Sequence, residues 1–171
     1  MAACQDPDGT RVETYLGHRA ITARPLPPSI RYLNNAYGHY GALVALATDT
    51  EGQVHGLQLV YLTEDGRKAP LKIQKRTNKA HDGWSDISAV RLPGTTPVVL
   101  CEGVETALSV WQATGQETWA CLGISNIARA GAGRRCGYRC AGWRSPGKQG
   151  GQSAAPGRHH PAQARLPGGR R

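Results

Sequence analysis

The chain has 171 residues, a length that fits one ordinary domain or two very small ones. It has no apolar run of the roughly 20 residues that cross a bilayer, and its first residues have no signal-peptide pattern. Five cysteines without such a signal favour free thiols over a disulfide framework, so the composition argues against membrane-spanning and disulfide-stabilised secreted proteins and predicts a cytoplasmic one.

The net charge of +9 is concentrated in the last quarter of the chain. Residues 129–171 contain ten Lys or Arg and no Asp or Glu, which leaves 11 basic and 12 acidic residues in the rest. The body of the chain is therefore close to neutral. Because residues 131–171 are rich in Gly, Arg and Pro and have no apolar periodicity, their composition predicts a disordered basic tail. Such a tail would bind polyanions by its charge alone.

The N-terminal half of the sequence predicts a short helix followed by an antiparallel meander. Apolar residues at helical spacing in 11–20 indicate the helix, and the prolines of 25–28 end it. Three strands are then expected, at 42–48, at 54–62 and through Leu71 and Ile73. Gly-containing turns separate these strands, as in successive hairpins.

A βαβ unit follows the meander and is the best-defined local pattern in the chain. Residues 97–101 are wholly apolar, as in a parallel strand buried on both faces. Apolar residues at i, i+3, i+4 and i+7 from Val104 predict an amphipathic helix that ends near Gly115. Residues 118–122 are expected to form the second strand, with a right-handed connection between the two.

Glu102 stands where the first buried strand ends and the helix begins. Ligands of open α/β sheets bind outside the carboxyl ends of the strands. A carboxylate there can act as a general acid or base or help to hold a divalent cation, but it can also simply favour the helix dipole. Glu105, one turn along, has two similar interpretations, as a supporting acid beside Glu102 or as a first-turn dipole partner.

The residues around Glu102 resemble the first motif of toprim domains. In 98–108 (VVLCEGVETAL) an apolar strand is followed by Glu-Gly and a helix, and the Glu-Gly-x-Glu-Thr-Ala variant is typical of plasmid and phage primase-like proteins. The Leu-Gly and Asn of 122–126 are also similar to that family. Upstream, 12–16 (VETYL) and 26–31 (LPPSIR) resemble the region before its toprim domain. The likeness covers about residues 11–128.

The resemblance implies a fold class, a division of the chain and an activity. The fold would be α/β, with a partial toprim domain of Rossmann-like parallel βαβ type at 95–130. A primase-like region with a short helix and the antiparallel β meander would precede it at 1–94, and the disordered tail would follow at 131–171. The activity would be Mg²⁺-dependent nucleotidyl transfer in DNA replication of a mobile element such as a plasmid. Single-stranded DNA, nucleotides and a replicative helicase would be the partners, with no membrane involved.

The chain departs from the family at the metal site. Toprim domains carry an Asp-x-Asp after their third strand, but no Asp or Glu follows Glu117 here. The resemblance therefore predicts Glu102 as the acid/base group and as the only ligand of a partial metal site, with little or no activity. A frameshift near residue 130 in a GC-rich gene would explain both the lost motif and the tail. With suitable codons, a one-base shift at 143–145 reads Gly followed by Gly, Ala, Val or Asp.

A basic stretch lies between the meander and the βαβ unit. It contains six cations: Arg67, Lys68, Lys72, Lys75, Arg76 and Lys79. They are predicted to bind the phosphate backbone of a nucleic acid, although a solvated face would have the same composition. Two alternatives to a primase therefore stay open, namely a non-catalytic nucleic-acid-binding protein and a toprim nuclease or topoisomerase-like enzyme.

Two further patterns involve cysteine. Cys136-x₃-Cys140 followed by His159-His160 has ligands suited to zinc, but the spacing is loose and the segment has no pattern that would fold around a metal. Cys101 and Cys121 fall on the predicted buried strands, where inert core thiols are the expected interpretation.

Overall fold

The computed structural model describes residues 4–79, 88–132 and 139–141, and these form a mixed α/β fold made mostly of strands. In chain order the elements are β1 (Cys4–Gln5), α1 (Arg11–Gly17), β2 (Ile30–Tyr37), β3 (Tyr40–Thr48), β4 (Val54–Leu62), β5 (Lys75–Lys79), β6 (Val90–Leu92), β7 (Thr95–Cys101), α2 (Val104–Thr114), β8 (Gln116–Ala120), α3 (Ile124–Ala132) and β9 (Arg139–Ala141). None of the helices in these ranges is long and apolar enough to cross a membrane.

The first five strands form an antiparallel sheet, sheet A, in the order β1-β2-β3-β4-β5. β3 and β4 pair over almost their whole lengths, as the two apolar runs and the turn between them predict. α1 begins at the predicted place because the Thr10 hydroxyl accepts a hydrogen bond from the Val12 N–H at 3.2 Å and so caps the helix. The helix buries Val12, Tyr15 and Leu16 against sheet A.

The remaining strands form sheet B, in the order β6-β8-β7-β9. β7 runs parallel to both β8 and β9, whereas β6 is antiparallel to β8. Val99 and Cys101 lie in the same hydrophobic cluster as α2. Leu100, one residue out of phase, lies in a second cluster with Trp119 and with Ala130 of α3. Since successive strand residues point to opposite faces, α2 and α3 cover opposite faces of sheet B.

One hydrophobic core joins the two sheets. It contains residues of α1, β2, β3 and β4 together with residues of β6, β7, α2 and β8. The side chain of Gln112 on α2 reinforces this contact: its Oε1 accepts from the N–H groups of Thr22 and Ala23 at 2.6 and 2.8 Å, and its Nε2 donates to the Ala20 carbonyl at 2.9 Å. β6 lies within the predicted N-terminal region, 1–94, but it pairs with β8 in sheet B.

The structure confirms the predicted βαβ unit and corrects the third strand of the meander. β7, α2 and β8 lie in the expected order with parallel strands, and β8 begins two residues earlier than predicted. The strand expected through 71–73 is wrong, because β5 begins only at Lys75. Pro70 has no N–H for a strand ladder. The Tyr61 carbonyl accepts a hydrogen bond from the Ala69 N–H before the proline, and the Tyr61 N–H donates to the Gln74 carbonyl after it. The regular pairing with β5 begins at Lys75.

Five elements were not predicted from the sequence, namely β1, β2, β6, α3 and β9. β1 and β6 have two and three residues, too few to set a period. β2 contains two asparagines and a register shift, which hide its alternation. Disorder was expected from residue 131 onward, but 131–132 end α3 and 139–141 form β9. The rest of 131–171 lies outside the described residues.

Candidate functional site

Glu102 lies at the carboxyl end of the central strand of sheet B, where the sequence predicts it. β7 ends at Cys101, α2 begins at Val104, and Gly103 between them is the helix N-cap in an extended conformation. The side chain of Glu102 is exposed. In the parallel ladders Cys101 stands beside Ala120 of β8 and Ala141 of β9, so Glu102 leaves the sheet between two neighbouring strand ends.

The strand order makes this edge a topological switch point. The chain passes from β7 through α2 to β8 on one side, and then through α3 to β9 on the other side of β7. The connections from β7 and to β9 thus lie on opposite faces of the sheet, and Glu102 stands at the edge where ligands of open α/β sheets generally bind. Its role as acid or base stays a prediction.

Glu105 is held by groups from the N-terminal region. The hydroxyl of buried Tyr15 donates to Glu105 Oε1 at 2.8 Å, and Lys68 Nζ lies 3.8 Å from the same oxygen. Its other oxygen, Oε2, lies 4.0 Å from the point where a Cβ on Gly103 would stand, so the carboxylate sits over the turn that follows Glu102. Glu105 therefore ties α1 and the basic stretch to the first turn of α2.

The electrostatics of Glu105 follow from these contacts. Burial raises the pKa of Glu105, but hydrogen bonds from Tyr15 and from its own N–H, with the charges of Lys68 and Lys75, outweigh burial and hold the pKa below its ordinary value. Burial, with the hydrogen bond to Glu105, raises the pKa of Tyr15 well above its usual range. The pair is thus an anionic carboxylate and a neutral phenol at neutral pH. Sequence reasoning missed Tyr15 as the partner because 90 residues separate the two.

β5 divides the basic stretch between the two faces of sheet A. Lys75 lies opposite Val60, whose side chain belongs to the core shared with α2. Arg76 lies opposite Leu59, which packs on the other side of the sheet. Because strand residues alternate, Lys75 and Lys79 point to the α2 side and Arg76 points away from it.

The other three cations are also separated from one another. Lys68 joins Glu105, as described above. Lys72 lines a surface groove together with Arg76. Arg67 is an exposed residue paired with Asp65 at 3.0 Å. The six cations of the basic stretch therefore do not form one continuous patch, and the groups near Glu105 are Lys68 and Lys75.

The acidic side chains of the described ranges do not form a Mg²⁺ site. In the described ranges no three His, Cys, Asp or Glu side chains cluster in a way that could hold a metal. The carboxylate of Glu105 is occupied by Tyr15 and Lys68, which leaves Glu102 as the free acid of this turn. A Mg²⁺ ion needs near-ideal octahedral oxygen coordination and is rarely held by a single carboxylate.

The cysteine predictions have different outcomes. Cys101 and Cys121 are buried, which confirms their predicted core position. Of the zinc candidates, Cys136, His159 and His160 lie outside the described residues, and Cys140 belongs to β9.

The comparisons with known proteins concern the N-terminal half. Residues 1–85 match the family model described as a domain of unknown function, DUF7146. The match includes α1 and the whole of sheet A, and it ends before β6, so it does not reach Glu102. No curated protein and no solved structure matches the chain.

Proposed function

We propose that this chain is a primase-like toprim protein of a mobile element in which the metal site is incomplete. In this proposal the chain binds single-stranded DNA and nucleotides, in the cytoplasm, and carries out little or no nucleotidyl transfer. The observation that carries the proposal is the position of Glu102, exposed at the carboxyl end of β7 between the ends of β8 and β9. That is where a phosphate and an acid/base group would meet in a parallel sheet.

The third strand supports the same proposal. In toprim domains, as the resemblance implies, an Asp-x-Asp follows the third strand and completes the site begun by the first-motif Glu. β9 is the third strand of sheet B's parallel set and lies directly beside β7. The residues that follow Ala141 are Gly-Trp-Arg, with no acid among them. The metal ligands are thus missing at the point in the chain where the family would supply them.

The sequence of β9 favours a changed reading frame. A parallel strand next to a central one is normally a run of Val, Ile or Leu, as in β7. β9 instead reads Arg-Cys-Ala and lies in a segment dominated by Arg, Gly and Pro. An intact relative would place an apolar strand here, followed by its two aspartates. The loss leaves Glu102 able to exchange a proton at a substrate hydroxyl but unable to neutralise the charge of a phosphate.

A non-catalytic nucleic-acid-binding role is the second candidate, and the lack of a metal cluster in the described ranges favours it. Lys68 and Lys75 approach the first turn of α2, where they would attract a phosphate to the edge that carries Glu102. The nuclease or topoisomerase-like alternative needs the same missing aspartates as the primase.

An activity assay with a frame-restored version of the gene tests the proposal. The restored protein and the present chain are each given Mg²⁺, single-stranded DNA and nucleoside triphosphates. We expect new strands from the restored protein and none from the present chain. Cleavage of the DNA instead of synthesis would favour the nuclease. If no alternative frame of codons 125–150 encodes an Asp-x-Asp, the frameshift explanation fails.

A further inference from the structure

The face of sheet A that is turned away from α2 carries an open groove with both aromatic and cationic walls. We name it the Tyr37 groove. Six residues line it: Tyr37, Tyr61, Leu71, Lys72, Ile73 and Arg76. Its volume of about 220 Å³ is below the roughly 300–1,000 Å³ of small-molecule pockets, so it is too small to enclose a typical small-molecule ligand.

The apolar part of the Tyr37 groove is unusually exposed. Tyr37 is 60 % exposed and Ile73 is 61 % exposed, and they are two of the three large hydrophobic residues exposed to this degree in the described ranges. Tyr61, which is nearly buried, supports Tyr37 from the side, with ring centroids 5.9 Å apart and planes inclined at 57°. A rigid aromatic surface of this kind costs little conformational entropy when a flat ligand stacks on it.

The charged side chains that line the Tyr37 groove are cationic. They are Lys72 and Arg76, and none of the described residues that line the groove is acidic. In the described part of the chain, neither cation has an ion pair with an acid. A ligand that matches this surface has flat apolar groups alternating with negative charges.

We propose that the Tyr37 groove binds a single-stranded nucleic acid, with a base stacked on Tyr37 beside Ile73 and the flanking phosphates on Lys72 and Arg76. Aromatic side chains that stack bases, together with cations that follow the backbone, are how sequence-tolerant single-strand sites are built. A duplex cannot use the stacking surface because its bases are already paired and stacked. The proposal rests on the single-strand binding proposed above and deepens it by naming the surface and the residues that would give it, and it does not depend on Glu102.

The test compares binding of a labelled oligothymidylate of about 15 nucleotides with binding of a duplex of equal length, using the full chain. Tyr37→Ala is expected to weaken oligothymidylate binding about tenfold, the loss of one stacked base, and to leave duplex binding unchanged. Tyr37→Phe should retain the wild-type affinity. Arg76→Gln should weaken binding and lower the salt slope by about one. Ile124→Ala, an equally exposed apolar residue on α3, is the matched control that should change nothing.

The proposal is overturned if Tyr37→Ala binds oligothymidylate normally, or if it loses as much affinity for the duplex as for oligothymidylate. It is also overturned if an acidic peptide competes as effectively as oligothymidylate does. A change in the oligomeric state of Tyr37→Ala without nucleic acid would overturn it as well. Lys75→Gln and Lys79→Gln report on the opposite face of β5. If they weaken single-strand binding while Tyr37→Ala does not, the Tyr37 groove is excluded and the proposed function stands. If the wild-type chain binds neither nucleic acid, both proposals fail.

Discussion

Replacing Tyr15 by Phe removes one buried hydroxyl that joins the N-terminal region to α2. The hydroxyl donates to the charged Glu105 at 2.8 Å, and hydrogen bonds to charged groups contribute about 1.5–3 kcal/mol. The ion pair between Lys68 and Glu105 adds little to the stability, because its atoms are 3.8 Å apart and both side chains are partly exposed. We expect Tyr15→Phe to lower the free energy of unfolding at pH 7 by about 2 kcal/mol. With an m-value of about 2 kcal/mol/M, the urea midpoint falls by roughly 1 M.

The effect of Tyr15→Phe should depend on pH. The folded state holds the pKa of Glu105 below its unfolded value of about 4.3, so this stabilisation is present above that pH and is lost as the pH falls through the folded pKa. Once Glu105 is protonated, Tyr15→Phe removes a hydrogen bond to a neutral carboxyl group instead of one to a charged carboxylate. The difference in free energy of unfolding between the two proteins should then shrink to about 1 kcal/mol. Urea titrations followed by tryptophan fluorescence at pH 7 and in the acid range measure both values.

Tyr32→Phe is the matched control for this prediction. Its hydroxyl donates to the neutral Asn34 side chain at 3.2 Å, and Tyr32 is almost as buried as Tyr15. Loss of the Tyr32 hydroxyl should lower the free energy of unfolding by about 0.5–1 kcal/mol, and this effect should not depend on pH in the acid range. The reasoning is refuted if Tyr15→Phe is as stable as the wild type at pH 7, or if the two Phe variants respond identically to pH.

Three further changes test the packing around α2, each measured by urea unfolding. Gly94→Ala should lower the free energy of unfolding by about 3 kcal/mol or more, because its Cβ would clash with the backbone of Gln116 and Glu117. A variant of normal stability would contradict this close approach. Gly115→Ala should cost about 1–2 kcal/mol through its positive φ of 65° alone, and an unchanged midpoint would argue against this helix end. Gln112→Ala should lower the free energy of unfolding by about 1–3 kcal/mol. Gln112→Glu should lower it less, since a Glu side chain can still accept hydrogen bonds from the N–H groups of Thr22 and Ala23. Equal losses in the two variants would contradict this.

The sequence predicts those elements whose period or end signals are local. α2 was predicted with its correct end because Gly115 follows the last apolar position and takes the left-handed conformation. β4 was predicted with its exact bounds because turns with glycine stand on both sides of it. β6 has three residues and exists because β8 offers it an edge, which no local pattern reports. α3 was not predicted either, because its Ser, Asn and Gly are weak helix formers and give no clear helical signal.

The candidate site was predictable in part for the same reason. The position of Glu102 follows from a strand and a helix that are adjacent in sequence, so the carboxyl edge could be placed without a structure. The contacts of Glu105 could not be predicted from the sequence, because Tyr15 reaches Glu105 only when α1 packs on the shared core. The six cations of the basic stretch are predicted to act together because they lie close to one another in the sequence. With the observed start at Lys75, alternation alone separates Lys75 from Arg76.

The measurement that tests the role of Glu102 most directly is strand synthesis by the frame-restored protein with and without Glu102→Gln. The account predicts Mg²⁺-dependent incorporation of nucleotides by the restored protein and a loss of at least about 100-fold in Glu102→Gln, the usual scale for a general acid or base. Equal binding of single-stranded DNA by the two restored proteins would show that the loss is chemical. Incorporation that is unaffected by Glu102→Gln would contradict the account.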